Sequence, residues 1–204
     1  MKTIKLTERH DLQGKRVAVL ATHGFEQSEL MTPVDVLESC GARVDVITPD
    51  GDSIRGWEEE NWGQIIAADV GLDDAHAADY DALLLPGGVM NSDSLRTSPQ
   101  AQEFVSHFFQ EEKPAFVICH GGQVLIDAGL VEGRKMTSYQ AIANDLKNAG
   151  ADWRDKEVVV DGTLVTSRSP DDLPAFCAKM CEVLDAKEGG ARFASAGSAG
   201  GKKG

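Results

Sequence analysis

The chain has 204 residues, of which 42% are hydrophobic and 26% charged, so it is long enough for one compact domain with a sizeable core. Its formal net charge of −13 disfavours binding to the phosphate backbone of nucleic acids. No apolar run has the length of a membrane span, and the N-terminus lacks the pattern of a signal peptide. We therefore expect a cytoplasmic protein without a membrane partner.

The four cysteines do not have the density or spacing of a disulfide framework, and a cytoplasmic setting would keep them reduced. Cys177 and Cys181 lie four residues apart in an apolar stripe, without a histidine or second cysteine pair nearby. This pattern favours two buried small side chains over half of a metal site. We expect no metal and no other cofactor.

Strand and helix signals alternate along the chain. Short apolar runs rich in β-branched residues or leucine predict buried parallel strands at residues 16–21, 43–48, 82–85 and 115–118. Helical periodicity and capping residues predict five helices. They lie at 27–39, from 99 to about 109, from the glycines after His120 through 126, around 142–146, and from 170 to 184. Two hairpins are predicted, at residues 53–67 and 158–166. The order predicts an α/β fold: a three-layer α/β/α sandwich around a mostly parallel, flavodoxin-like sheet.

The domain is predicted to span residues 1–187, and its first part, 1–15, is polar and predicts an irregular surface extension. Residues 188–204 are rich in glycine, alanine and serine and almost lack apolar periodicity. That composition predicts a disordered tail.

Three of the predicted strands end in unusual residues: Thr22-His23-Gly24-Phe25-Glu26, Pro86-Gly87-Gly88 and Cys119-His120-Gly121. Ligands of open α/β sheets bind at the carboxyl ends of the strands. Cys119 stands where a strand must turn sharply into a helix, which is the setting of a nucleophile elbow. Helix N–H groups would lower the pKa of its thiol, and those of Gly88 and His120 would stabilise an oxyanion. A buried structural cysteine is the alternative, but the convergence of three strand ends favours a reactive one.

These motifs together resemble the PfpI-type branch of the DJ/PfpI superfamily, which includes the Parkinsonism-associated deglycase and is related to class I glutamine amidotransferases. The similarity extends to the segments 134–139, 148–153, 160–162 and 167–168, and it covers roughly residues 15–184. Two departures are Gly122, where proline is usual, and Val117, where a small residue is common.

The resemblance implies roles for four side chains. Cys119 is similar to the family's nucleophilic, readily oxidised cysteine, and His120 to the histidine that acts as general base or acid. Glu26 is similar to the acid whose protonated carboxyl group hydrogen-bonds the sulfur, although a first-turn helix acid is the alternative. Asp93, in the loop after Pro-Gly-Gly, is the candidate acid that orients the histidine of a neighbouring subunit, although surface solvation would also explain it. The family forms homodimers or hexamers.

The resemblance also implies a function class, a cysteine-dependent stress-response enzyme that attacks carbonyl or acyl carbons. Its substrates would be small aldehydes and glycated proteins, for a glyoxalase or deglycase, or peptides, for a peptidase. A redox-sensing stress protein or holding chaperone, in which oxidation of Cys119 is the functional event, is the alternative. A glutamine amidotransferase is disfavoured, because those enzymes carry a late His-x-Glu pair and no histidine follows His120.

Overall fold

The computed structural model describes residues 4, 6 and 8–194. The strands are β1 (Arg16–Leu20), β2 (Arg43–Thr48), β3 (Ile54–Glu58), β4 (Asn61–Ile66), β5 (Val70–Gly71), β6 (Ala82–Leu85), β7 (Ala115–Ile118), β8 (Lys135–Met136), β9 (Asp152–Trp153), β10 (Val158–Asp161) and β11 (Leu164–Ser167). The α-helices are α1 (Gln27–Ser39), α2 (Val89–Arg96), α3 (Pro99–Gln110), α4 (Gly122–Asp127), α5 (Ala143–Asn148) and α6 (Leu173–Ala194). A 3₁₀ turn at Cys119–Gly121 joins β7 to α4.

A seven-stranded sheet forms the centre, with the strand order β10-β11-β7-β6-β1-β2-β5. All neighbouring strands are parallel except β10 and β11, which form an antiparallel hairpin. The chain order reverses at β1, which pairs with β2 on one side and β6 on the other. This is the topology predicted from the alternation of strands and helices, and it brings the ends of β1, β6 and β7 to one edge.

Alternate side chains of the parallel strands enter two separate cores. Val17, Val19 and Phe116 pack with side chains of α1 and α6 on one face of the sheet. Ala18 and Leu83 pack with side chains of α3, α4 and α5 on the other face. This division confirms the three-layer sandwich, because a parallel sheet needs both faces covered by helices.

Most predicted elements are found where the sequence patterns place them. The strands β2, β6 and β7 and the helix α1 have the predicted bounds, and Pro33 lies inside α1. The hairpin of β3 and β4 brings the rings of Trp57 and Trp62 to a centroid distance of 5.5 Å, edge to face. Cys177 and Cys181 are fully buried on α6, as expected for small core side chains.

Three segments differ from expectation. Residues after Pro-Gly-Gly form the helix α2 rather than a loop. Helix α6 continues past Lys187 to Ala194, into the segment predicted to be disordered, while residues 195–204 lie outside the described part. In the N-terminal extension, Leu12 is buried, and its N–H donates to the Cys40 carbonyl at 2.8 Å. The extension is therefore anchored at its end. Within the described residues no helix is long and apolar enough to cross a membrane.

Candidate active site

Cys119 has a left-handed backbone conformation, with φ of 60°. Residues other than glycine seldom adopt this backbone conformation, because the Cβ atom crowds the backbone. Strand β7 ends at Ile118, and the 3₁₀ turn begins at Cys119 itself, so the strain falls on the residue that carries the thiol. This conformation confirms the nucleophile elbow predicted from the sequence.

The turn brings the imidazole of His120 to the thiol of its neighbour. Cys119 Sγ lies 3.3 Å from His120 Nδ1. The ring of Tyr139 packs on the imidazole at a centroid distance of 5.0 Å, and the Tyr139 N–H donates to the Cys119 carbonyl at 3.2 Å. Burial lowers the pKa of His120, so its ring is neutral at pH 7 and can accept a proton.

Backbone N–H groups of Gly88 and His120 both point at the sulfur and lower the pKa of the thiol. Glycine is required in the turn after β6 for reasons of space. A Cβ atom on Gly87 would lie 2.6 Å from Cys119 Cβ and would overlap Glu29 Oε2. Gly88 has φ of 96°, and a Cβ atom there would lie 2.7 Å from the Glu26 nitrogen. The structure thus brings together the two N–H groups predicted for an oxyanion hole.

Glu29, not Glu26, is the acid beside the sulfur. Glu29 is completely buried on α1, and its Oε2 accepts a hydrogen bond from the Gly87 N–H at 2.9 Å. Its charge is the neighbouring charge that acts on Cys119. Its second oxygen, Oε1, makes no hydrogen bond within the described residues. Burial, together with the nearby charge of Glu26, raises the pKa of Glu29 to about 8.

The prediction for Glu26 was wrong, because Glu26 immediately precedes α1 and no contact joins its carboxylate to the Cys119 thiol among the described residues. Its carboxylate accepts a hydrogen bond from the Ser28 hydroxyl at 3.2 Å. Glu26 is half-buried in the wall of a cavity of about 370 Å³, which Glu58 and Glu59 also line. Burial raises the pKa of its carboxyl group.

The net effect on the thiol is opposite to the prediction. Desolvation by burial and the charge of Glu29 raise the pKa of Cys119, and they outweigh the two backbone N–H groups that lower it. A standing thiolate is therefore disfavoured while Glu29 is ionised. Because the carboxyl group of Glu29 stays protonated up to about pH 8, the sulfur is spared that repulsion at neutral pH.

Asp93 lies on the exposed side of α2, and the structure gives it no contact with His120 of the same chain. Its assignment as an acid supplied to another subunit stays a prediction. Val117 is buried beside Gly121, where a Cβ atom would lie 3.2 Å from Val117 Cγ1, so the missing side chain leaves it room. Gly122 begins α4, the position at which proline was expected.

Two site residues were not found by sequence reasoning. Glu29 was detectable as a charge within the buried face of α1, where its neighbours Leu30 and Pro33 are apolar. Asn91, on the first turn of α2, is buried and hydrogen-bonds the turn after β6. Nothing in the sequence marked Asn91, because α2 itself was not predicted. No group of three or more potential metal ligands occurs among the side chains that the structure describes.

Comparison with known proteins places this arrangement in one family. The family model described as the DJ-1/PfpI family matches residues 15–183. General stress protein 18 of Bacillus subtilis is 41% identical over 84% of this chain and 99% of its own length. Protein/nucleic acid deglycase 2 of Escherichia coli is 43% identical over the same shares. YraA of Bacillus subtilis, named as a candidate cysteine protease, is 44% identical over 83% of this chain and 98% of its own.

Solved structures show the same fold. The chain matches Drosophila melanogaster DJ-1beta with a TM-score of 0.77 and 29% identity, over 89% of this chain and 96% of the other. It matches a two-domain protein of Anabaena variabilis, with DJ-1/ThiJ/PfpI-like and ferritin-like domains, with a TM-score of 0.79 and 35% identity. That match covers 83% of this chain and 48% of the longer protein. On sequence and structure alike, the chain belongs to the DJ-1/PfpI family.

Proposed function

We propose that the chain is a cysteine-dependent enzyme of the glyoxalase or deglycase type, which acts on small carbonyl compounds through Cys119. The observation that carries this proposal is the strained elbow that sets Cys119 Sγ 3.3 Å from His120 Nδ1. A nucleophile beside a neutral base is the arrangement that covalent catalysis requires. The two backbone N–H groups at the same sulfur supply the donors that such a reaction needs for a developing oxyanion.

The reaction begins with the thiol and not with a preformed thiolate. As Sγ bonds to the carbonyl carbon, the thiol proton passes to His120 Nδ1 and the carbonyl electron pair moves to oxygen. The N–H groups of Gly88 and His120 would hold that oxyanion, and return of the proton to the oxygen gives a hemithioacetal. A general base is needed at this site because burial raises the pKa of Cys119, so little thiolate is present, and the neutral imidazole of His120 is free to accept the proton.

Restricted access to the sulfur favours a small substrate. Cys119 is 8% exposed and His120 9% exposed. A polypeptide in an extended conformation needs a groove in which several residues reach the nucleophile, whereas an aldehyde needs only a narrow opening. This argument ranks methylglyoxal and its adducts above peptides. The name of the deglycase relative points to the same class.

The assay that tests the substrate class compares methylglyoxal with a peptide substrate on the same wild-type preparation. We expect methylglyoxal to be consumed and converted to lactate, at a rate that exceeds peptide cleavage. Cleavage of the peptide without loss of methylglyoxal would replace this proposal with a peptidase.

A redox-sensing stress protein is the second candidate, because Glu29 Oε1 is buried without a hydrogen-bond partner among the described residues. Two molecules of hydrogen peroxide would convert the thiol to a sulfinic acid and release two of water. Protonated Glu29 would then donate to a sulfinate oxygen. Formation of the sulfinic acid at two equivalents of peroxide per site, together with no carbonyl turnover before oxidation, would favour this candidate.

The proposal also gives Asp93 a role between the subunits of an oligomer. It is exposed on α2, so in a homodimer or hexamer it could reach the imidazole of a second copy and hold its orientation. Replacement of Asp93 by asparagine should then lower kcat, and a mixture with the Cys119→Ala variant should recover part of the activity through mixed oligomers. A monomer in solution with full activity would contradict this role.

A further inference from the structure

We infer that Asn91 is a positioning residue for the proposed reaction, one that holds the Gly87–Gly88 turn in the orientation the thiol requires. This inference rests on the proposed function for its effect on turnover. The geometry that supports it is independent of any substrate.

The side chain of Asn91 connects two of the three strand ends. Its Nδ2 donates to the carbonyl oxygens of Pro86 and Gly87, each at 3.1 Å. Its Oδ1 accepts from the Thr22 N–H at 2.8 Å, so the end of β1 is tied to the turn after β6. With 1% exposure, Asn91 uses both ends of its amide inside the protein. A buried amide satisfied in this way fixes the backbone around it.

The turn that Asn91 holds carries two backbone N–H groups that face the candidate site, those of Gly87 and Gly88. The turn lies against the thiol, since a Cβ atom on Gly87 would be 3.0 Å from Cys119 Sγ, and the Gly88 N–H lowers the pKa of that thiol. The Gly87 N–H donates to Glu29 Oε2 at 2.9 Å. A carbonyl and the following N–H belong to the same rigid peptide plane. Because Asn91 bonds the Gly87 carbonyl, it sets the direction of the Gly88 N–H through that plane.

Loss of the Asn91 side chain should therefore rotate the Gly88 N–H away from Cys119 Sγ, while every reacting group stays in place. The Gly87 carbonyl retains the Glu26 N–H at 3.2 Å, so the turn keeps one anchor, whereas the Pro86 carbonyl and Thr22 N–H lose this partner. A misplacement on this scale lowers the rate by roughly 10- to 100-fold. Binding of a small substrate depends less on this donor, so the loss should fall on kcat and leave KM nearly unchanged.

Asn91→Ala and Asn91→Leu test the inference, and leucine fills the volume in case the alanine variant is poorly folded. Ser92→Ala is the matched control, because the buried Ser92 hydroxyl lies on the same helical turn without a hydrogen-bond partner among the described residues. The readouts are kcat and KM for methylglyoxal per folded molecule, and the rate at which iodoacetamide alkylates Cys119 at pH 7, followed by peptide mass spectrometry.

We expect both Asn91 variants to lose at least about ten-fold in kcat, and to alkylate Cys119 about three-fold or more slowly, because the sulfur loses a donor. Ser92→Ala should match wild type. A lower melting temperature with wild-type kcat and alkylation rate would overturn the inference and make Asn91 purely structural. If wild type fails to consume methylglyoxal, the proposed function fails, and the alkylation rates still decide the role of Asn91.

Discussion

Glu29 Oε2 accepts the Gly87 N–H at 2.9 Å, and this bond joins helix α1 to the turn that faces the thiol of Cys119. The carboxyl group of Glu29 is completely buried, and burial disfavours its charged form. Burial raises the pKa of Glu29 to about 8. The state of Glu29 thus controls how much negative charge the sulfur can take up.

The first prediction concerns the alkaline limb of activity. Glu29 is neutral below about pH 8 and ionises above it, so repulsion of the developing charge on Cys119 should lower turnover as pH rises through 8. In Glu29→Gln that limb should disappear, whereas Glu26→Gln should keep the limb and move it to a lower pH, because the charge of Glu26 helps to raise the pKa of Glu29. The measurement is kcat between pH 6 and 10. An unchanged limb in Glu29→Gln would show that another group titrates.

The second prediction concerns stability. The folded pKa of Glu29 is raised above its unfolded value of 4.5, so the folded state holds the proton more tightly between pH 4.5 and about 8. Over that window the free energy of unfolding should fall with rising pH, by a contribution on the order of 4 kcal/mol from this group. Urea unfolding of wild type and Glu29→Gln at pH 5 and pH 8 measures it. The variant should lose less stability than wild type, and equal losses in both proteins would contradict the assignment.

The third prediction concerns His120. Replacement by alanine removes the acceptor for the thiol proton, so kcat should fall by roughly 100-fold or more. Alkylation of Cys119 at pH 9 should persist in part, because hydroxide can then remove the proton. Burial lowers the pKa of His120 below 6.5, so the imidazole stays neutral down to pH 6.5. Wild-type activity should therefore stay level as the pH falls to 6.5 and decline only at lower pH, where the imidazole takes up a proton. A decline that begins above pH 7 would count against a neutral histidine as the base.

The fourth prediction concerns the space between the thiol and the acid. A Cβ atom in Gly87→Ala would lie 2.6 Å from Cys119 Cβ and would overlap Glu29 Oε2, so either the turn or the helix must shift. We expect a loss of about 100-fold in kcat, comparable with the loss of an oxyanion donor. Gly122→Ala is the control, because the nearest atom to its Cβ, Ile142 Cδ1, is 3.6 Å away. Similar kcat values in the two variants would show that the contact at Gly87 is unimportant.

Local patterns predicted the fold and the position of the elbow well, for a physical reason. Strands β6 and β7 are continuous apolar runs, each followed by a turn, which is the pattern of strands buried in a parallel sheet. The Cys119-His120-Gly121 sequence directly after β7 therefore located the elbow without knowledge of tertiary contacts.

The features of the site that the sequence did not predict depend on tertiary contacts. Glu26 and Glu29 lie within one helical turn, and only the docking of α1 on the sheet determines which carboxyl group faces the thiol. The short helix α2 carries little periodic signal, so Asn91 and its hydrogen bonds were not predicted. The direction of the pKa shift of Cys119 follows from burial and from Glu29, neither of which is local in sequence.

The most direct test of the central claim is methylglyoxal turnover by Cys119→Ala, measured beside wild type and Cys40→Ser. Cys40 is a half-buried thiol at the end of α1, so the control loses a cysteine without touching the strand-end site. The account predicts that Cys119→Ala loses turnover completely and that Cys40→Ser retains it. Retained turnover in a folded Cys119→Ala protein would contradict the assignment of Cys119 as the nucleophile.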